Sequence, residues 1–379
     1  MIKYLGSKRR LLPLIEQTIT DIAADVDVVT VLDLFSGTAR VGQGLKRLGY
    51  RVLANDHTAY AHTIARCYVQ ADAEDVVDDA AEIIADLNGL PGKAGWFTAL
   101  YSEQSRFFQP ANAARIEACR EHIATLQLPD VLEAVVLTSL MEAADRVDST
   151  VGVQMAYLKQ WSRRSQNALE LRVPDVIKRT AHAPSSASKL DAEVAASSLA
   201  ADVAYLDPPY NRHSYLSNYH VWETLVAWDT PDVYGIAKKR VDCKTRKSAF
   251  NTPSRFKRAF VDVVDRLQVK AIVVSFSNEG VVGEDDIVEM LSRRGPVRLV
   301  AEQGYQRYVG ARIGIHSPAG VRVGEVSHTD NVEYLFVVDV QTAALTTDPH
   351  SAAAAADAAD AAAAADAAAA DAIGAPGSQ

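Results

Sequence analysis

Two hydrophobic periodicities alternate along the chain and predict strands separated by helices. Residues 28–32 and 51–54 are short apolar runs of the kind that forms buried strands. Between them, residues 39–48 carry apolar positions at helical spacing. A strand, a helix and a second strand in this order form a βαβ unit, so the chain opens as an α/β fold.

The same patterns continue on both sides of a long helical segment. They predict helices over residues 75–88, 111–126 and 131–146, and strands beginning at Val203 and over residues 270–276, 297–301 and 333–340. We expect residues 1–95 and 185–340 to form one α/β domain, interrupted by a helical insertion at residues 96–184. Residues 341–379 form an Ala- and Asp-rich low-complexity tail, for which we expect a frayed helix or a disordered appendage.

Composition narrows the class of protein. A chain of 379 residues with 48% hydrophobic content can bury a large core. Cys67, Cys119 and Cys243 are far apart and form no disulfide or metal-ligand pattern, which favours a reducing cytoplasm. No apolar run approaches the roughly 18 residues needed to span a bilayer, and the first residues lack a signal-peptide core. We expect a cytoplasmic protein that does not associate with a membrane.

Charge is unevenly distributed along the chain. The net charge is -9, yet residues 212–258 contain ten basic and four acidic residues. Lys and Arg beside a site of chemistry are typical of phosphate contacts, although a charge run is often only a solvated surface. Net charge alone therefore does not exclude nucleic acid as a partner.

One turn combines the groups needed to hold an exocyclic amine. The strand that begins at Val203 leads into Asp207, Pro208, Pro209 and Tyr210. The carboxylate is a hydrogen-bond acceptor, the prolines fix two backbone carbonyls, and the aromatic ring offers a flat stacking surface. The turn suits a flat heterocycle that carries an amine, although an ordinary Pro-Pro turn after a strand has the same pattern.

A second group of residues lies where the first predicted strand meets the first helix. Asp33 ends that strand, Gly37 relieves steric limits in the turn, and Gly42 permits close packing of helix on strand. Asp56 follows the second strand, where a carboxylate can accept hydrogen bonds from both ribose hydroxyls. The spacings G-x-G-x-x-G and G-x-x-x-x-G-K-[ST] are not met. These residues predict a crevice for a ligand with a ribose and no phosphate, with a turn-forming Asp as the alternative at Asp56.

Four motifs in this order resemble those of one enzyme family. They are KYLGSKRRLL at residues 3–12, DLFSGT at residues 33–38, ND at residues 55–56 and DPPY at residues 207–210. Together they resemble the S-adenosylmethionine-dependent adenine-N6 DNA methyltransferases of the D12 class, which includes the Dam methylases. The resemblance implies a Rossmann-like methyltransferase fold: a mostly parallel seven-stranded sheet with helices on both faces and a helical target-recognition insertion.

The resemblance also assigns roles to single residues. Tyr4 would lie against S-adenosylmethionine, Lys8 would reach its carboxylate, Asp56 would take the ribose hydroxyls and Asp191 would meet its adenine amine. The set implied for cofactor binding is Tyr4, Lys8, Asp33, Phe35, Ser36, Gly37, Thr38, Asp56, Asp191 and Asp207. The set implied for catalysis is Asp207, Pro208, Pro209 and Tyr210. Asp207 and the Pro208 carbonyl would accept the amine hydrogens of an adenine rotated out of the duplex, and Tyr210 would stack on it.

Duplex DNA is the implied partner, and a cognate restriction endonuclease is a further candidate. We expect a bacterial or phage enzyme that is associated with the nucleoid. Target recognition is expected in the insertion, helped by the basic residues 238–258, with Arg106, Arg115, Arg163 and Arg164 as candidate contacts to bases or phosphates.

Three alternatives remain at the level of sequence. The same turn occurs in enzymes that methylate base amines of ribosomal RNA, and an N4-cytosine DNA enzyme uses the same chemistry but more often has Ser where Asp207 stands. A DNA-binding relative without catalysis would have lost part of the motif set, which this chain retains. Histidines and acids form no H-E-x-x-H or similar cluster, so we expect no metal.

Overall fold

The computed structural model describes residues 1–210, 212, 214–306, 315–316, 322–324 and 330–340. The predicted tail at residues 341–379 lies outside these ranges, and residues Met1–Val340 form one compact unit. The strands are β1 Thr30–Asp33, β2 Arg51–Asn55, β3 Ser186–Ser188, β4 Val203–Leu206, β5 Val233–Tyr234, β6 Lys239–Arg240, β7 Ala271–Ser277, β8 Val297–Gln306, β9 Ile315–His316, β10 Arg322–Gly324 and β11 Asp330–Asp339. The helices are α1 Leu12–Asp25, α2 Arg40–Arg47, α3 Ala59–Ala65, α4 Ala73–Gly89, α5 Trp96–Thr98, α6 Pro110–Thr125, α7 Asp130–Val147, α8 Ala192–Ser198, α9 Tyr215–Asn218, α10 His220–Ala227, α11 Pro253–Arg266 and α12 Glu284–Ser292.

Seven strands form the central sheet in the order β3-β2-β1-β4-β7-β11-β8. The first five strands are parallel to one another, whereas β11 is antiparallel to both β7 and β8. The predicted α/β fold with a mostly parallel seven-stranded sheet is therefore confirmed. Two short hairpins, β5–β6 and β9–β10, lie outside it.

Alternate residues of the strands enter two different hydrophobic cores. Val31, Val52 and Val273 belong to the core shared with α1–α4, α6, α7 and α10. Their neighbours Leu32 and Leu53 belong to the core shared with α8, α11 and α12. Because successive side chains of a strand point to opposite faces, helices must cover both faces of this sheet. This explains why its strands are continuous apolar runs and not alternating ones.

One strand begins later than its apolar pattern predicts. The run at residues 28–32 predicts a strand from Val28, yet β1 begins at Thr30. The Asp202 carboxylate accepts the N–H groups of Val29 and Thr30, each at 2.9 Å. These two N–H groups therefore bind a side chain at the entrance to the strand.

The helical segment predicted between the two parts of the α/β core is packed onto that core. Helices α6 and α7 occur within two residues of their predicted bounds, and their apolar residues join the same core as α1 and α3. Glu117 of α6 is buried and accepts the N–H groups of Gly95, Phe97 and Thr98, which fixes the start of α5. The segment thus broadens one face of the fold, and its role in target recognition stays a prediction.

No helix in the described part of the chain is long and apolar enough to cross a bilayer.

Candidate active site

Polar side chains stand at the carboxyl ends of three neighbouring parallel strands. Asp33 ends β1, Asn55 ends β2 and is followed by Asp56, and Asp207 follows directly on β4. Because β1 pairs with β2 on one side and β4 on the other, the strand order changes direction here and a crevice opens between the loops. A pocket of about 640 Å³ lies in this crevice.

The pocket brings together every residue that the sequence analysis assigns to cofactor binding. Its lining includes Tyr4, Lys8, Asp33, Phe35, Ser36, Gly37, Thr38, Asp56, Asp191 and Asp207. Among the residues assigned to catalysis, Asp207 and Pro209 line the pocket, whereas Pro208 and Tyr210 do not. The shared location is a finding, and the individual roles stay predictions.

Two glycines shape the passage from β1 into α2, Gly37 in the turn and Gly42 in the first turn of the helix. Gly37 has a φ of 52°, and a Cβ on it would lie 3.3 Å from Cε1 of Tyr4. Gly42 donates its N–H to Oδ2 of Asp33 at 3.0 Å, and a Cβ there would lie 2.8 Å from Val69. Because neither residue carries a side chain, the Tyr4 ring and the Asp33 carboxylate can lie directly against the turn.

Asp56 is fixed by local hydrogen bonds. Its Oδ2 accepts the N–H of Gly37 at 3.1 Å, and its Oδ1 accepts the N–H and the hydroxyl of Thr58 at 3.0 and 2.8 Å. Three of the about four acceptor sites of this carboxylate are used, so one ligand hydroxyl can take the remaining site, and a second hydroxyl would have to displace one of these hydrogen bonds. Its position agrees with the predicted ribose contact.

Asp191 stands at the pocket because a buried amide holds the preceding segment. Asn55 donates to the carbonyl of Leu190 at 3.1 Å and accepts the N–H of Leu190 and the hydroxyl of Ser188 at 3.1 and 2.9 Å. Asp191 follows as the N-cap residue of α8 and is exposed. The sequence analysis did not assign this clamping role to Asn55.

A stack of tyrosines holds the N-terminal segment on the pocket. The Tyr4 ring lies 4.6 Å from that of Tyr219 and 5.1 Å from that of Tyr215, with both pairs nearly parallel. The Tyr4 hydroxyl is 3.2 Å from that of Tyr60, and the Tyr219 hydroxyl accepts the N–H of Leu5 at 2.7 Å. Tyr60 carries no motif signal in the sequence, and only the folded chain brings it to the site.

The Lys8 ammonium lies between two carboxylates. Its Nζ is 3.0 Å from Oδ1 of Asp207 and 2.9 Å from Oε2 of Glu333. Lys8 is predicted to reach the carboxylate of the cofactor, and Glu333 is not among the residues predicted from sequence. The only sequence signal for Glu333 is one acidic residue at the start of the apolar run 334–338.

Burial and neighbouring charges shift the acidity of these groups. Burial raises the pKa of Asp207 to about 6, with Lys8 lowering it and Glu333 raising it. Burial also raises the pKa of Asp33 to about 7, although the Gly42 N–H favours the ionised form. For Lys8, burial lowers the pKa, but the two carboxylates outweigh burial and raise it well above its usual value. The pocket thus contains a permanent cation beside a carboxylate that titrates near neutrality.

Part of the predicted basic stretch is occupied by ion pairs within the protein. The paired cations are Arg240 with Asp229, Arg246 with Glu223, Lys257 with Asp286 and Arg258 with Asp262. By contrast, Lys247 and Arg255 line the pocket and have no acidic partner within the described ranges. These two cations are therefore available to an external anion.

The four arginines proposed as nucleic-acid contacts in the insertion also divide into those bound within the protein and those that are not. Arg115 donates to backbone carbonyls of Leu87, Asn88 and Leu169, and Arg164 is paired with Asp148, so both serve the fold. The guanidinium of Arg106 lies 4.7 Å from the centre of the Trp161 ring and bonds the Lys159 carbonyl. Arg163 is exposed, with no ion pair to any described residue. Arg163 is therefore the strongest remaining candidate for a DNA contact.

Across the described residues, no three His, Cys, Asp or Glu side chains lie close enough to hold a metal ion.

Comparison with known proteins agrees with this geometry. The profile of a family described as D12 class N6 adenine-specific DNA methyltransferase matches residues 4–275. Modification methylase StsI of Streptococcus sanguinis is 28% identical over 304 residues, which cover 76% of this chain and 46% of that protein. Type II methyltransferase M.FokI of Planomicrobium okeanokoites is 28% identical over 310 residues, which cover 78% and 47%. Type II methyltransferase M.NlaIII of Neisseria lactamica is 26% identical over 316 residues, which cover 81% and 92%.

The chain spans about half the length of the first two relatives and nearly all of the third. The region matched by the family profile is more than two thirds of the chain and contains Asp33, Asp56 and Asp207. This chain belongs to the D12 class of N6 adenine-specific DNA methyltransferases.

Proposed function

We propose that this chain methylates the N6 amine of adenine at specific sites in duplex DNA, with S-adenosylmethionine as the methyl donor. The observation that supports this most strongly is the state of the Asp207 carboxylate. Oδ1 is bound by Lys8, whereas Oδ2 has no hydrogen-bond partner among the described residues. An ionised acceptor at the wall of a pocket is what an amine donor needs.

The pocket has groups that fit the cofactor. The carboxylate of Asp56 can accept ribose hydroxyls, and the hydroxyl of Ser36 is buried without a partner within the described ranges. The flat ring of Tyr4 lies across Gly37 at the same wall. When bound there, S-adenosylmethionine supplies a methyl group on a positively charged sulfur. The pocket volume of about 640 Å³ is within the usual range for small-molecule sites.

Asp207 has two tasks in this proposal. The N6 amine is a weak nucleophile because its lone pair is delocalised into the ring, and hydrogen bonds to Asp207 and the Pro208 carbonyl draw the nitrogen toward a pyramidal form. After methyl transfer the nitrogen must lose one proton, and Asp207, with its pKa raised to about 6, can accept it. Both tasks require the ionised carboxylate, so the rate falls below pH 6.

Tyr210 is assigned to stacking on the extruded base, and this role requires its ring to become exposed. Its backbone carbonyl accepts the N–H of Val281 at 2.8 Å, and its ring packs edge-on against Phe276 with 7% of the residue exposed. The ring is therefore covered in this state. Stacking on a base requires part of this face to open when DNA binds.

Two basic side chains support DNA as the carrier of the amine. S-adenosylmethionine carries one carboxylate and no phosphate, so Lys247 and Arg255 at the pocket find at most that one anionic group in the cofactor. Phosphates flanking an extruded nucleotide would pair with them. Because relatives of this chain are named modification and type II methylases, we extend the proposal to a cognate restriction endonuclease as a partner in the cell.

The test is methyl transfer from labelled S-adenosylmethionine to duplex DNA, followed by nucleoside analysis. We expect label in N6-methyladenine, and loss of that label with Asp207→Ala at saturating cofactor. Label in RNA alone would contradict the proposal in favour of an RNA methyltransferase. Bound cofactor without any transfer would favour a DNA-binding relative that lacks catalysis.

A further inference from the structure

Glu333 is a buried acid on an otherwise apolar strand. It lies on β11, opposite Ser277 of β7 and Gln303 of β8, and is 5% exposed. The residues that follow, Tyr334 to Val338, are apolar or aromatic. A buried carboxylate strongly destabilises a fold unless it is paired, so its presence here requires a specific partner.

That partner is Lys8. Oε2 of Glu333 accepts from Nζ of Lys8 at 2.9 Å and from the Ser275 hydroxyl at 3.3 Å. The same Nζ lies 3.0 Å from Oδ1 of Asp207 and 5.7 Å from the centre of the Tyr210 ring. One ammonium therefore connects β11, the second strand from one edge of the sheet, to the carboxylate that lines the pocket.

The sharing of the ammonium determines how Asp207 is held. With Glu333 as its second ionic partner, Lys8 binds Oδ1 of Asp207, and Oδ2 has no hydrogen-bond partner among the described residues. Without the charge of Glu333, Asp207 would be the single ionic partner of Lys8 among the described residues, and Lys8 would shift toward it. That shift would engage the carboxylate more fully and withdraw it from an incoming amine.

We propose that Glu333 is a positioning residue that acts through the Lys8 ammonium to hold the Asp207 carboxylate ready for the substrate amine. The inference rests on the proposed methyl transfer, although it also concerns a measurable property of the free protein. Glu333 does not touch the pocket, since it is absent from the lining residues.

Several charged or titratable groups surround Asp207 and contribute to its proton affinity. They are Lys8 on the N-terminal segment, Glu333 on β11, Asp33 on β1, Tyr205 on β4, Tyr210 in the DPPY turn and Tyr215 on α9. Lys8 is the cation among them and favours the ionised form of Asp207, whereas Glu333 is an anion and opposes it. Neutralising Glu333 must therefore lower the pH at which Asp207 takes up a proton.

The first experiment separates the effect of the charge at position 333 from the effect of its distance to Lys8. Glu333→Gln removes the charge and keeps the size, and we expect the acid limb of the pH–rate profile to move down by about one pH unit with kcat reduced several-fold at pH 8. Glu333→Asp keeps the charge but retracts it from Lys8, so the acid limb should stay near its original pH while kcat falls. Glu302→Gln, an exposed position on the adjacent strand β8, serves as the matched control and should change neither. In Glu333→Gln, a lower rate at every pH without movement of the limb would show a merely structural role and overturn the inference.

The second experiment needs no activity. In protein labelled with ¹³C at aspartate carboxyls, the Asp207 resonance is identified by its loss in Asp207→Asn and followed from pH 4.5 to 8. We expect its midpoint near 6 to fall in Glu333→Gln and to rise in Lys8→Met. In the Lys8→Met background, Glu333→Gln should have no further effect on kcat. An unmoved midpoint in folded Glu333→Gln overturns the inference, whereas a wild-type protein that titrates as expected but methylates no DNA contradicts only the proposed function.

Discussion

Replacing Gly37 by alanine tests whether the tyrosine-covered turn forms the cofactor site. Gly37 has a φ of 52°, its N–H donates to Asp56, and its Cα faces the Tyr4 ring. The matched control is Gly49→Ala, because Gly49 also has a positive φ, 99°, and a Cβ there would meet no atom within 4 Å. It precedes β2 at the opposite end of the sheet from the pocket.

The expected magnitudes follow from these contacts. A left-handed backbone costs a residue with a Cβ about 1–2 kcal/mol relative to glycine, so both variants should lose stability by about this amount. Only in Gly37→Ala does the new Cβ press on Tyr4 at 3.3 Å, and Tyr4 cannot move without disturbing its stacks on Tyr215 and Tyr219. Each stack contributes about 0.5–1.5 kcal/mol. Disturbing both stacks at the lower value costs about 1 kcal/mol. If cofactor binding requires the Tyr4 ring in place, the affinity for the cofactor should therefore fall at least about fivefold, because about 1.4 kcal/mol is a factor of ten.

The assay is calorimetric titration with S-adenosylmethionine, with thermal unfolding of each free variant as the stability measure. We expect both variants to unfold at a lower temperature and only Gly37→Ala to bind the cofactor more weakly. Equal affinity of the wild type and Gly37→Ala would show that the turn and Tyr4 do not form the cofactor site.

The remaining predictions concern chemistry, stability and DNA binding. Asp207→Asn should lower kcat, measured at saturating cofactor, about 10²–10³-fold, because a neutral amide binds the amine poorly; an unchanged single-turnover rate would contradict this. The wild-type rate should fall about tenfold per unit below pH 6, because the pKa of Asp207 is raised to about 6 and only the ionised form accepts the amine; a flat profile to pH 5 would exclude it. Lys46→Met should reduce the free energy of unfolding in urea by about 3–5 kcal/mol, because buried Nζ is bonded to Val69, Ala71 and Asp72, whereas the exposed Lys93→Met should cost under about 1 kcal/mol. Lys247→Gln should reduce the slope of log affinity against log salt by about 1, and the internally paired Lys257→Gln should leave it unchanged; equal slopes would remove Lys247 from the DNA contact.

The fold was predictable because its signals are local. Strand β7 begins with four apolar residues, and it is buried along its whole length, as an interior strand of a sheet covered on both faces must be. The βαβ opening follows from a change of hydrophobic period within about 25 residues of sequence. The start of β1 was not predictable in the same way, because it depends on Asp202, which is distant in sequence.

The site could be predicted for residues that lie at the ends of strands. It could not be predicted for residues whose ionic partners come from distant segments of the chain. Asp33, Asp56 and Asp207 follow apolar runs, and the rule that parallel strands end at one edge brings them together. Glu333 could not be assigned, because its meaning depends on Lys8 at the other end of the chain. The basic stretch shows the same limit: Arg240 and Lys247 are equivalent in sequence, but only the folded chain pairs Arg240 with Asp229.

The most direct test of the central claim is a map of N6-methyladenine in the DNA of bacteria that lack their own adenine methylation and express this chain. We predict that one short sequence becomes methylated at nearly all its occurrences with the wild-type chain, and at none with Asp207→Ala. DNA free of N6-methyladenine in cells that contain the folded wild-type protein would contradict the claim.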